Sequence, residues 1–331
     1  MSKLKVGIYW GASCGGCEIS VLEIHENLLD LLEVAEIVFC PCLIDFKYKD
    51  VEAMPDGSID LCLFNGALRN EENEEIARLL RQKSKILAAY GACATMGGIP
   101  GMGNMYGREE ILDRVYRTTE STVNPEGTIP EGTTSFGHGG ESALPEMLPS
   151  VKALHHAVPV DYYIPGCPPV ADQVWAVLQA VASGALPPAG SVVGAGDKAV
   201  CDECAFERRD EKVGEFKRPH EFIPDGERCL LEQGLLCMGP ATRSGCGAQC
   251  LSANMACRGC YGPAEGVADQ GAKMIGVIGS LIDSEEEAVI AGVADRIADP
   301  AGFAYRFGMP TSALGRKKCG SSNLETKTPK G

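Results

Sequence analysis

The residues of this chain best suited to chemistry are its sixteen cysteines, which fall into two patterns along 331 residues. In the first half, Cys14 and Cys17, then Cys93, then Cys167 each follow an apolar run that ends in glycine or proline–glycine. In the second half, Cys201, Cys204, Cys229, Cys237, Cys246, Cys250, Cys257 and Cys260 crowd into one stretch. Four and eight make twelve thiols, enough for three four-cysteine metal sites. Thiolates ligate both zinc and iron–sulfur clusters, so residue type alone leaves the metal open.

Composition narrows the setting. The chain is 45% apolar, which supports one large domain or two ordinary ones. No apolar run is long enough to cross a bilayer. The chain enters a strand directly after Met1-Ser2-Lys3, without a charged segment and apolar core behind it, so the expectation is a cytoplasmic protein. Disulfides are rare in a reducing cytosol, and dense paired cysteines there hold metal or do redox work. A net charge of −15 excludes a nucleic-acid binder, which needs a basic footprint to displace counterions.

The elements that must position these cysteines follow from the apolar pattern. Strands are expected at 3–10, 35–42, 60–64, 85–90 and 158–164. Helices are expected at 18–33, 70–82, 108–117 and 170–183. The second of these carries acidic residues in its first turns and Arg78 and Arg81 in its last, complementing the helix dipole. Strands alternating with helices make an α/β chain with a doubly wound parallel sheet. Residues 118–140 form a long Thr/Gly/Pro-rich connection without periodicity. GALPPAG at 184–190 is the best boundary, dividing the chain into 1–186 and 187–331. Beyond it the alternation stops, and 200–262 is irregular enough to need staples. Closing helices are expected at 266–282 and 285–297, followed by a mobile tail from Thr311.

In an open parallel sheet, ligands bind outside the carboxyl ends of the strands. Cys14, Cys17, Cys93 and Cys167 sit at such ends, so four thiolates from distant loops can converge on one cube-shaped cluster. Neighbouring glycines let the backbone approach and aim N–H groups at sulfur. Cys40 and Cys62, by contrast, read as ordinary buried cysteines. In the second half, zinc is the rival, because paired thiolates also make structural zinc sites. Company favours iron–sulfur: two more clusters beside a first make an electron relay, and zinc carries no electrons.

With these residues laid out, the chain resembles the small subunit of [NiFe] hydrogenases along nearly its whole length. The resemblance is carried by WGASCGGC at 10–17, GACAT at 91–95 followed by Gly97-Gly98, and PGCPP at 165–169. CMGPATRSGCGAQC at 237–250 and CRGCYGP at 257–263 are similar to the cytoplasmic, methyl-viologen-reducing, F420-non-reducing branch that works with heterodisulfide reductase. The resemblance implies a flavodoxin-like first domain and an irregular iron–sulfur second domain. It implies three [4Fe–4S] clusters: a proximal one on Cys14, Cys17, Cys93 and Cys167, a medial one on Cys246, Cys250, Cys257 and Cys260, and a distal one on Cys201, Cys204, Cys229 and Cys237. Two positions depart from the periplasmic members: Cys201 stands where those carry histidine, and Cys250 adds a fourth thiolate at the medial site. Added thiolates bring negative charge and lower a cluster's potential.

The resemblance further implies that H2 is split at a nickel–iron centre in a separate large subunit. Electrons then reach a small [2Fe–2S] protein and heterodisulfide reductase, with no membrane span and no nucleic acid involved. The alternatives are an F420-reducing or sulfur-linked hydrogenase small subunit, a quinone-reducing complex subunit, a flavin protein on the same topology, or a zinc-stapled interaction scaffold. An eight-cysteine second domain argues against the quinone-linked relative, and a cysteine-bearing first loop argues against flavin phosphate. His25 and His138 read as surface or packing residues, and His155-His156 as ligands only should a cysteine assignment fail. Gly101-x-Gly103 does not follow a strand as a dinucleotide loop must. Residues 71–75 read as a solvated helix face, and Cys42, Cys62, Cys40 and Cys319 as spare.

Overall fold

The structure is a computed structural model that describes residues 3–136 and 140–315; His138 and Cys319 lie outside the described residues. In chain order the described strands are β1 (Leu4–Trp10), β2 (Ala35–Phe39), β3 (Ile59–Asn65), β4 (Leu68–Asn70), β5 (Ser84–Tyr90), β6 (Thr133–Phe136), β7 (Gly140–Ala143), β8 (Met147–Lys152) and β9 (Tyr162–Ile164). Five of them form the main sheet in the order β2-β1-β3-β5-β9, and every pairing in it is parallel. Renumbered by occurrence, that is 2-1-3-4-5, the flavodoxin-like winding. Its central strands are buried on both faces, as an apolar run such as IDLCLFN in β3 requires.

Helices cover both faces. The first half carries α1 (Gly16–Leu22), α2 (Asn27–Val34), α3 (Tyr48–Ala53), α4 (Glu71–Lys83), α5 (Gly91–Met96), α6 (Arg108–Asp113) and α7 (Ala171–Ser183). One core contains Val6, Ile8, Leu61, Leu63, Val174 and Val177. The other contains Tyr9, Phe39, Phe64, Leu80 and Leu87 on the opposite face. Asn70 caps α4 by accepting the Asn73 N–H at 2.9 Å, which ends β4 and starts the helix in one residue. Its acidic face is not wholly solvated, because Glu74 is held by Lys152 at 2.6 Å and Arg78 at 2.7 Å.

Several expectations change in detail. The helix expected over 18–33 is two helices, broken where His25 takes a left-handed φ of 53°. The edge strand stops at Phe39, because Cys40 begins a turn in which Leu43 N–H returns to the Cys40 carbonyl at 3.0 Å. The strand expected from 158 pairs only over Tyr162–Ile164. The long connection holds a hairpin, β6 with β7, and β8 returns antiparallel to β4. The chain also stays on the sheet past the proline-rich boundary: Val192 bridges Tyr163, and Val193 joins the sheet core.

The second half has helices α8 (Gln249–Ser252), α9 (Gln270–Leu281), α10 (Glu287–Asp295) and α11 (Pro300–Ala304), the last not expected from sequence. Among the described residues it forms no sheet of its own. Isolated bridges tie its loops instead, including Ala199 with Arg243, Glu207 with Arg228 and Thr242 with Pro263. Its core gathers Val200, Phe216, Leu230, Met274 and Phe303 around Cys237 and Cys257. The described tail is anchored. Ala313 N–H donates to the Asp269 carboxylate at 2.8 Å, and Pro310 packs against Gly97 and Gly101 of the first half. No described helix is long and apolar enough to cross a membrane.

Candidate metal centres

The first cysteine group forms where three strand ends meet. After β1, Gly11 N–H donates to the Asn65 carbonyl at 2.8 Å and Ala12 N–H to the Ala67 carbonyl at 3.0 Å, so the loop is stitched to the end of β3. The chain then turns into α1, leaving Cys14 exposed and Cys17 buried in the first helical turn. Cys93 lies in α5 directly after β5, and Cys167 follows β9. Ala92 N–H donates to the Gly166 carbonyl at 2.6 Å, which joins those two loops.

Two glycines make room for the sulfurs. Gly91, at φ 83°, faces Cys17 Sγ so closely that any Cβ there would collide with it. Gly98, at φ 57°, would put a Cβ 2.5 Å from Cys93 Sγ. Both positions also have backbone conformations that other L residues adopt only under strain. The Ile99 N–H donates to the Cys93 sulfur.

Electrostatics place the four thiols within reach of one another. Burial pushes Cys17 far up, and Cys93, Glu18, Cys167 and Cys14 add to it. Cys93 is pushed up to about 12 by burial, then by Cys167 and Cys14. Cys167 is raised by burial and by Cys14. Cys17, Cys93 and Cys167 thus resist ionisation where they stand; a cationic core between the sulfurs would remove the penalty.

A neighbouring carboxyl is not evident from sequence. Glu18 accepts from Asn65 Nδ2 at 2.6 Å through one oxygen, while its other oxygen is buried without a partner. Burial raises its pKa. Asn65 also donates to Ser13 Oγ at 2.9 Å, and Tyr90 Oη pairs with Ser20 Oγ at 2.6 Å beneath Cys17. Glu18 directly follows Cys17, and that adjacency is the one signal the sequence offers.

Cys201, Cys204, Cys229 and Cys237 line one cavity of about 300 Å³, walled by Phe206, Leu230, Leu231, Leu251 and Leu281. Cys201 sits in a single helical turn held by Val200 N–H to the Thr242 carbonyl at 2.8 Å. Cys229 N–H donates to the Glu207 carbonyl at 2.8 Å. Cys201 is pushed up to about 12 by burial and by Cys229, with Arg208 pulling the other way. The Cys237 sulfur accepts from the Gly239 and Cys257 N–H groups, and the Cys229 sulfur from those of Glu232 and Leu231. A Cβ on Gly239 would stand 3.1 Å from Cys201 Sγ and 3.5 Å from Cys237 Sγ.

Cys246, Cys250, Cys257 and Cys260 line another cavity of about 470 Å³, and Cys167 of the first group lines it too. Cys250 reaches it from α8, which starts after Ala248 at φ 49°. His25 and Glu23 stand at the same cavity, and His25 is exposed, as its reading as a surface residue expects. Burial raises Cys257 to about 11, opposed by the Gly259 N–H and the Thr242 hydroxyl. His155 and His156 meet edge-on at 4.5 Å between ring centres, and neither lines the two cavities of the second half.

The groups adjoin in a definite order. The Cys167 N–H donates to the Cys260 sulfur, which links the first group to the Cys246–Cys260 group. Cys257 in turn acts on Cys237 and Cys201, and its N–H donates to the Cys237 sulfur. Among the described residues, no three His, Cys, Asp or Glu side chains gather tightly enough for a single ion. The sulfurs of the second half line cavities instead. Thiols in fours and N–H donors aimed at sulfur are a donor set that fits iron–sulfur clusters.

Residues 14–181 match the family described as NADH ubiquinone oxidoreductase, 20 Kd subunit. The chain is 44% identical to the iron–sulfur subunit of the F420-non-reducing hydrogenase of Archaeoglobus profundus, over 95% of this chain and 98% of that protein. It is 37% identical to the corresponding F420-non-reducing hydrogenase subunit of Methanothermobacter marburgensis, over 95% of this chain and 97% of the other. Sulfhydrogenase 2 subunit delta of Pyrococcus furiosus is 31% identical over 78% of this chain and 86% of its own length.

Proposed function

The chain belongs to the family of F420-non-reducing hydrogenase iron–sulfur subunits and is a hydrogenase subunit, and from that premise we propose that it is the electron-transfer arm of a [NiFe] hydrogenase. Cys14, Cys17, Cys93 and Cys167 would hold a proximal [4Fe–4S] cluster, Cys246, Cys250, Cys257 and Cys260 a medial one, and Cys201, Cys204, Cys229 and Cys237 a distal one. When bound, such clusters supply one-electron carriers. H2 would be oxidised in a separate large subunit carrying the nickel–iron centre. The electrons would leave for a [2Fe–2S] partner and heterodisulfide reductase, in the cytoplasm. Residues 1–186 and 187–331 are the two working units of this reading.

The observation that carries it is the order of the sulfur groups. Cys167 touches the second cavity through Cys260, and Cys257 touches the third group through Cys237. The chain's own residues do three things for such a relay. Apolar walls line the cavity of Cys201, Cys204, Cys229 and Cys237, backbone N–H groups would stabilise thiolate charge, and Gly91 and Gly98 make room for the sulfurs of Cys17 and Cys93. The zinc reading fits less well, since tetrahedral zinc draws four ligands tightly onto one ion, and among the described residues no three such side chains gather that tightly.

Anaerobic iron, sulfide and zinc analysis of the purified complex tests the proposal. Three clusters require about 12 irons per chain and no stoichiometric zinc; four irons with two zincs would end the relay reading.

A further inference from the structure

Outside the twelve cysteines assigned above, one other pair of thiols stands together among the described residues. Cys40 Sγ and Cys42 Sγ are 3.6 Å apart, at the carboxyl end of the edge strand β2. The turn that brings them together is well held. Leu43 and Ile44 N–H groups both donate to the Cys40 carbonyl at 3.0 Å, and Pro41 between the cysteines restricts the backbone to the turn. Cys40 is 1% exposed, in the same core cluster as Cys17. Cys42 is exposed, on a concavity of about 700 Å³ formed by residues 41–49, with Ile44, Phe46 and Lys49 among its walls.

We propose that Cys40 and Cys42 form a thiol–disulfide exchange site that takes low-molecular-weight disulfides, independent of the metal centres. The two thiols have the division of labour that such chemistry needs: one accessible attacker and one shielded resolver beside it. Cys42, as thiolate, attacks one sulfur of the small disulfide, and the first small thiolate leaves. Cys40 then attacks Cys42 of the mixed disulfide, and the second small thiolate leaves. The two protein thiol protons end on the two released small thiols. The protein dithiol is oxidised by two electrons and the small disulfide is reduced by two. Closing the bond brings the Sγ atoms from 3.6 Å to about 2.05 Å. Burial pushes Cys40 up to about 12, so it stays a thiol until the mixed disulfide stands beside it, which keeps Cys42 the attacker and Cys40 the resolver.

Oxidised glutathione is the probe, added to the intact hydrogenase complex purified without oxygen, followed by alkylation and peptide mass spectrometry. The expected wild-type product is a Cys40–Cys42 peptide lighter by two hydrogens, with both thiols protected from alkylation and both restored by dithiothreitol. In Cys40→Ser, the glutathione adduct should persist on Cys42; in Cys42→Ser, Cys40 should stay a free thiol. A lasting glutathione adduct on wild-type Cys42 beside a free Cys40 overturns the proposal, as does failure of both thiols to react. Mass is read on this peptide alone, so loss of a cluster elsewhere does not alter the result.

Discussion

In the first half of the chain, four cysteines follow the ends of a five-stranded parallel sheet whose cores contain Phe39, Leu61, Leu63, Phe64 and Leu87, all at most 1% exposed. In the second half two of the eight cysteines are central to the core: Cys237 and Cys257 sit among Val200, Leu230 and Met274, and isolated bridges stand in for a sheet. The difference teaches that the same ligand can be positioned in two ways. In the first half Cys17 joins a core that the sheet already closes; in the second half Cys237 and Cys257 belong to a core that has no sheet to close it. Stability and metal content should therefore be separable in one half and inseparable in the other.

Metal removal should break the molecule along that line with the largest effect. After anaerobic chelation, amide exchange at Val200, Cys229 and Met238 should accelerate by roughly 10³-fold or more, while Leu61–Phe64 and Leu87–Ala89 keep their protection. Equal loss in both halves would erase the contrast.

Adding one methyl group on each side sharpens it. Gly91→Ala forces a Cβ into Cys17 Sγ at a positive φ, at a cost of roughly 3 kcal/mol, and should lower iron content by about a third of 12. Gly239→Ala meets Cys201 Sγ at 3.1 Å but without the positive φ of Gly91, and should cost about 1 kcal/mol with iron retained. Thermal melts and iron analysis on the two variants check this.

Ligand substitutions give a smaller, graded difference. Cys93→Ser should stop H2-dependent dye reduction while the subunits remain assembled. Cys250→Ser, at an exposed ligand on the short α8, should lose about one iron and keep partial activity. Dye assays with iron counts separate them, and equal activities would remove Cys93 from the proximal site.

At neutral pH the smallest effect concerns a cysteine assigned no ligand role. Cys62 is fully buried in β3, and burial pushes its pKa from 9.0 up to about 12. A raised folded pKa means that stability is intact below pH 9 and falls as pH rises toward 12, because the unfolded thiol ionises first. Wild type should lose up to about 1.4 kcal/mol more per pH unit across that window than Cys62→Ala. Denaturant melts at several alkaline pH values measure it.

Much of this was legible in the sequence because strand ends and cysteine pairs are local signals. KLKVGIYW before WGASCGGC already places Cys14 at a sheet edge. The helix expected over 18–33 was half right; nothing in an apolar period marks a left-handed His25. Glu18 was hidden because a glutamate on a helix reads as solvated until its neighbours are known. Pro310 docking on Gly97 and Val193 joining the sheet core are contacts across long sequence separations, and no local pattern encodes them. The order of the three groups was likewise invisible to spacing, since the Cys246–Cys260 group follows the Cys201–Cys237 group in sequence but stands between the other two in space.

That spatial order is the central claim, and rapid-freeze electron paramagnetic resonance on a Cys246→Ala complex tests it most directly. Cys246 lines only the middle cavity. After brief exposure to H2, the proximal signal should appear at the wild-type rate while the distal signal lags far behind it. Distal reduction at the wild-type rate, with the medial signal gone, would contradict the order.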